Sequence, residues 1–127
     1  MTASRDDRRF VPAGWHAVTP RIVAHDAQRL VAFLARVFGA RGVFEPERPC
    51  VVTLGDSMVM VSEAGARDAM PAFLYVYVRD VDATCRRAIE AGARMIEQPF
   101  DEPYGDRRCM FADAWGDVWQ VATHGTA

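Results

Sequence analysis

The chain has 127 residues, half of them apolar and a quarter charged, which suits one globular domain built on a single core. Its net charge of -2, with no long basic stripe, argues against a nucleic-acid partner. All fifteen cationic side chains are arginine, so Schiff-base chemistry and a lysine-dependent phosphate loop are excluded.

The first stretch, Met1 to Gly14, is polar, carries charges of both signs and has no apolar h-region, so it reads as a flexible arm rather than a signal peptide. Residues 15–127 then form one domain. Ala17 to Ala24 predicts a strand. Asp26 is a candidate N-cap, and Leu30, Phe33, Leu34, Val37 and Phe38 recur at helical spacing up to Gly39, where a left-handed C-cap is expected. Three strand-like runs follow at Gly42 to Glu45, Cys50 to Leu54 and Ser57 to Ser62, the last two separated by the turn Gly55-Asp56.

The same order then starts again. Phe73 to Val78 alternates as a strand, Asp80 is a candidate cap, and Val81, Cys85, Ala88 and Ile89 give helical spacing that Gly92 closes. Arg94 to Glu97, Arg107 to Ala112 and Val118 to Thr123 supply three more strands, with Gln98 to Pro103 as a Pro-bounded loop whose Asp101 and Glu102 face water. Gly39-Ala40-Arg41 follows Asp26 by 13 residues, and Gly92-Ala93-Arg94 follows Asp80 by 12. The last strand of each half follows a Gly-Asp pair, at Gly55-Asp56 and Gly116-Asp117. The expected fold is therefore α+β, with two βαβββ modules over residues 17–64 and 72–124. A helix covers one face of each module's sheet, and the other face must meet a second half, leaving a cleft suited to a small molecule.

Cys50, Cys85 and Cys109 are an odd, widely spaced set, with neither a disulfide framework nor a zinc signature, and read as reduced core residues of a cytoplasmic protein. No apolar run approaches the length of a membrane span, so no membrane partner is expected. Ser57 and Ser62 lack the context of a catalytic triad, and no Gly-rich loop opens either helix.

The motifs resemble those of the glyoxalase/bleomycin-resistance/extradiol-dioxygenase (vicinal oxygen chelate) superfamily, in particular its small PhnB-like members. The likeness rests on Thr19-Pro20-Arg21-Ile22-Val23, Phe38-Gly39-Ala40, Leu54-Gly55-Asp56-Ser57 and Leu74 to Asp82, then Ala91-Gly92-Ala93, Tyr104-Gly105-Asp106-Arg107 and Asp113-Ala114-Trp115-Gly116. It implies two curved mixed sheets around a cleft, and often a homodimer. Enzymes of the superfamily hold a divalent metal with His, Gln or Glu from the first and last strand of each half. The matching positions here are Thr19, Phe73, Met60 and Gln120, a set without the donors such metals need, so no metal and no cofactor are expected. His25, His16 and His124 read as surface or terminal residues, with a His16–His124 ligand pair open only if the chain ends meet. Glu63 reads as solvated.

Strand alternation puts Thr19, Arg21, Phe73, Tyr75 and Tyr77 on the cleft side, with Met58 and Met60 as deformable apolar surface and Arg108, Met110 and Gln120 facing inward. Arg108 or Arg21 would clamp an anionic group or else pair with Glu at the rim. Trp115, which replaces a proline common in the family's turn, covers one end of the cleft or protrudes. Three functions follow: a metal-free protein binding a small apolar or aromatic molecule, with a sequestration or resistance role; a lyase-, isomerase- or dioxygenase-type enzyme with a shifted ligand set, or one using Tyr and Arg; or a dimer module with no ligand, its aromatics cementing an interface.

Overall fold

The structure, a computed structural model, describes residues 10–125. Most of the arm expected over Met1 to Gly14 lies outside them. The first half runs β1 (Arg21–Ala24), α1 (Ala27–Phe38), β2 (Cys50–Leu54) and β3 (Ser57–Glu63). The second runs β4 (Phe73–Tyr77), α2 (Val81–Glu90), β5 (Arg94–Asp101), β6 (Asp106–Ala112) and β7 (Val118–His124). The sheets are mixed, ordered β1-β3-β2 and β4-β7-β6-β5. In each half the first strand lies parallel to the last, and the hairpin strands are antiparallel. The repeat read from the sequence is thus a repeat of topology.

The expected strand at Gly42 to Glu45 does not form, so the first half is βαββ. Only Arg41 pairs there, exchanging backbone bonds of 2.9 and 2.7 Å with Thr53. Pro46 and Pro49 follow the segment that would extend the pairing, and proline has no N–H to give a ladder. Gly42 passes so close to β2 that a Cβ would meet the Val51 carbonyl at 2.6 Å. Two other strand bounds differ by more than one residue: β1 starts at Arg21 rather than Ala17, and β5 runs on to Asp101 through two register shifts. Those bulges, and the edge position of β5, accommodate Pro99 within a strand.

Helix α1 ends as its sequence implies. Gly39 adopts φ 67°, its N–H reaches the Ala35 carbonyl, and Ala40 N–H reaches Leu34. Its start does not. Asp26 sits at φ 60° with no side-chain cap, and Glu63 at the end of β3 accepts from both Asp26 N–H and Ala27 N–H at 2.9 Å. Glu63 is exposed, as its sequence reading has it, and is also a helix cap supplied from the sheet. In α2 Asp80 caps as expected, accepting from Ala83 N–H at 3.1 Å.

One core serves both halves. Leu30, Leu34 and Val37 of α1 and Val81, Cys85 and Ala88 of α2 are buried with Val61, Phe111, Trp119 and Val121. Each large apolar side chain buried this way contributes roughly 1.5–3 kcal/mol. Phe38 at the end of α1 packs on Trp119 (centroids 5.1 Å apart) and on Phe111, and Arg87 Nε donates to the Val37 carbonyl. The helices thus meet back to back, and among the described residues no strand of one sheet makes extended contact with the other. The two sheets therefore do not face each other within one chain, and the cleft between the halves lies along β4 and the β2–β3 turn. Helix packing turns the helix-free faces outward.

Candidate functional site

The helix-free face of the second sheet carries the aromatic ladder. Register places Tyr75 beside Gln120, Gln120 beside Met110 and Met110 beside Glu97, while Tyr77 aligns with Ala122, Arg108 and Phe100. Phe73, Tyr75 and Tyr77 are 67, 39 and 60 % exposed. The rings of Tyr75 and Tyr77 lie 5.4 Å apart, tilted against one another. Strand alternation and register therefore bring Phe73, Tyr75, Tyr77, Arg108, Met110 and Gln120 onto one face.

At one end of this face stands Asp106, its side chain 1 % exposed. Its Oδ2 accepts from Tyr75 Oη at 2.7 Å and Tyr77 Oη at 2.9 Å, and its Oδ1 lies 2.7 Å from His124 Nδ1. The Tyr75 and His124 bonds, aided by Tyr77 and opposed by burial, hold the carboxyl below the usual aspartate range. Burial, then the bonds to Tyr104 and Asp106, push Tyr75 upward, and the Asp106 bond does the same to Tyr77. Both phenols keep their protons at neutral pH, which weakens a reading in which they exchange them with a substrate. Gly105, at φ 106°, makes the turn into Asp106, and a Cβ there would touch the His124 ring at 3.4 Å.

Arg108 is not available as an anion clamp. Its Nη2 lies 3.0 Å from Glu102 and 3.3 Å from Glu97, and its guanidinium sits over the Phe100 ring at 5.4 Å. Glu102 is correspondingly half-buried rather than facing water, whereas Asp101 is exposed and pairs with Arg107. Arg21 donates to Ser62 at 3.0 Å on the other sheet.

Thr19, Arg21, Met58 and Met60 belong to the first half. Met60 pairs with Arg21 and Val51, and Met58 pairs with Thr53, whose hydroxyl donates to its sulfur. These residues form a second open face that the chain does not fold onto the first. Trp115 belongs to neither face. Its indole N–H donates to the His25 carbonyl at 2.7 Å and its ring meets Phe33 edge-on, so it ties the β6–β7 turn to the first half. His16 approaches the Asp56 carbonyl while His124 holds Asp106, so the two histidines take separate partners. A cleft of about 490 Å³ runs along β4, bounded by Tyr75 and Tyr77 on one side and by Pro20 and the β2–β3 turn on the other.

A family model described as the Glyoxalase/Bleomycin resistance protein/Dioxygenase superfamily matches residues 16–121. The chain belongs to that superfamily. An uncharacterised protein of Mycobacterium bovis is 26 % identical, covering 83 % of this chain and 81 % of its own. TioX from Micromonospora sp. ML1 superposes with a TM-score of 0.72 at 27 % identity, over 86 % of this chain and 98 % of its own. TnmS3 from Streptomyces sp. CB03234, described as an antibiotic binding protein, gives 0.69 at 21 % identity, over 86 and 95 %.

The residues present do not fit the metal of the superfamily's enzymes. Met60 lies beside Arg21, Phe73 beside Val118 and Gln120 beside Tyr75, with Thr19 ahead of β1. Gln120 is the one good oxygen donor among the four. Among the described residues no three His, Cys, Asp or Glu side chains gather as ligands. The cysteines offer no nucleophile either. All three are buried and free, and burial raises their thiols, Cys109 to about 12.

Sequence reasoning passed over Asp106, His124, Tyr104 and Glu97. Asp106 was read as a turn residue and His124 as a chain end. Extending the alternation one step from Arg108 and two from Gln120 reaches both, since they pair across β6 and β7.

Proposed function

We propose that this protein binds a small apolar, aromatic molecule, without a metal, on the ladder Phe73–Tyr75–Tyr77, and that its role is sequestration or resistance. The observation that carries this reading is the state of the ladder. Three aromatic side chains stand exposed, yet two are fixed by hydrogen bonds to a buried carboxylate. Fixed rings lose little freedom on binding, and each Å² of apolar surface they bury contributes about 25 cal/mol. The description of TnmS3 as an antibiotic binding protein fits the same use of this fold.

The protein acts as a homodimer in this reading. Two sheet faces are left open by the helix packing, and a second copy closes them by setting Thr19, Arg21, Met58 and Met60 of one chain opposite the ladder of the other. Sedimentation at micromolar concentration then gives twice the chain mass, and a lone monomer rejects the closed cleft. Binding is tested by calorimetric titration with 2-naphthylmethanol. Tyr75→Ala weakens it by about 1–3 kcal/mol, the range of an interface anchor. Equal binding to the variant would show that the ladder is not the site.

A further inference from the structure

Resting on that binding reading, we infer that the ladder selects a planar ligand carrying a protonated amine. An ionised carboxylate has acceptors only, so Tyr75, Tyr77 and His124 must each donate to Asp106. The phenol protons are thereby committed inward, and the oxygens show only lone pairs to the open face. The Nδ1–H of His124 is likewise spent on Asp106.

Tyr104 extends the same sense. Its hydroxyl lies 3.3 Å from that of Tyr75, which has no proton left to give, so Tyr104 donates and Tyr75 accepts. Tyr104 in turn accepts from Arg108 Nη1 at 3.2 Å. A directed chain results: Arg108 to Tyr104 to Tyr75 to Asp106. It begins on the cation at this end of the face, and that cation is already matched by two carboxylates.

Arg108 is 17 % exposed, and Glu102 and Glu97 both hold its Nη2 while its Nε is buried without a partner. Against its single positive charge stand Glu97, Glu102 and Asp106. Arg94 is at the far end of β5, in the row of Phe73. A carboxylate ligand beside Tyr75 meets lone pairs and surplus negative charge. An ammonium ligand there meets acceptors, and its charge is also attracted by the tyrosine ring faces.

The experiment compares three matched probes by calorimetry at neutral pH: 2-(aminomethyl)naphthalene, 2-naphthylmethanol and 2-naphthoate. The amine binds at least tenfold more tightly than the naphthoate, with the alcohol between. In the double variant Glu97→Gln/Glu102→Gln, checked for folding by its thermal melt, Arg108 is released and the preference falls at least tenfold or reverses. Naphthoate binding as tightly as the amine, or a ratio unchanged in the double variant, overturns the inference. In that case the binding reading still stands if Tyr75→Ala weakens all three probes. If none of the three binds, both fail together.

Discussion

Asp117→Asn should remove a loss of stability that the native protein suffers between about pH 4 and pH 7. Asp117 is fully buried at the β6–β7 turn, where its Oδ1 accepts from Ala72 N–H at 2.8 Å, and no N–H or O–H is aimed at Oδ2. Its neighbour Asp113 already accepts from the backbone N–H groups of Trp115 and Asp117 and from Trp119 Nε1. Burial first, then the proton shared with Asp113, push Asp117 up to about 7 from 3.8, against the pull of the Ala72 bond. A carboxyl raised on folding binds more protons in the native state than in the unfolded one between those values, so stability falls as pH rises through that window and is level above it. Three pH units at 1.36 kcal/mol each set an upper bound of about 4 kcal/mol. Asparagine keeps the acceptor for Ala72 N–H and can donate to Asp113 where the proton had been. Urea unfolding at pH 4, 6 and 8 should therefore find the variant close to the parent at pH 4 and about 2–4 kcal/mol more stable at pH 8, with equal slopes. A difference that stays constant across the three pH values would refute the reasoning.

Glu63→Ala uncaps α1 and should cost about 1 kcal/mol by urea unfolding at pH 7. The Ala27 and Asp26 N–H bonds lower the Glu63 pKa, so this contribution is present above the unfolded value, and the difference should vanish as pH falls into the acid range. Tyr75→Phe keeps the ring and removes one donor to a buried charge, so unfolding should report a loss of about 1–2 kcal/mol, while 2-naphthylmethanol loses less affinity than with Tyr75→Ala because the ring contact remains. Trp115→Ala should destabilise by about 2 kcal/mol through the lost His25 bond and Phe33 contact, again without changing probe affinity. A drop in affinity there would return Trp115 to the site.

The fold was legible where local chemistry and tertiary packing agree. Asp80 caps, Gly39 and Gly92 stop helices, and the Gly55-Asp56 and Gly116-Asp117 turns lead into the strands that close each sheet. It was illegible where a distant partner decides. Asp26 is the right residue type for a cap, but it sits at φ 60° rather than in extended backbone, and Glu63 arrives from 37 residues away to accept from the Asp26 and Ala27 N–H groups instead. The Gly42 to Glu45 run has strand-like residues, but nothing local reveals how closely Gly42 must pass the Val51 carbonyl. How the two halves would pack was equally hidden. Both helices have an apolar stripe, and pairing the stripes back to back buries one core while leaving the ladder outside.

The site illustrates a subtler limit. Period-two alternation placed Tyr75, Tyr77 and Arg108 on one face, and from those residues alone Arg108 reads either as a clamp for an anion or as the partner of a Glu at the rim, without saying which Glu. Its neutralisation depends on β5, where the alternation breaks. Arg94, Glu97 and Phe100 are three apart, yet they pair with Ala112, Met110 and Arg108, which are two apart. Each step therefore inserts one extra residue, and each bulge resets the phase of the strand. Without the two bulges Glu97 would fall on the opposite face from Arg94. With them it arrives beside Met110, within reach of Arg108, while Glu102 closes on the same nitrogen from the following turn. Two backbone irregularities, the second of them spanning Pro99, thus bring Glu97 to Arg108, which is why the charge pairing on this face follows from the register of β5 and not from the composition of its walls.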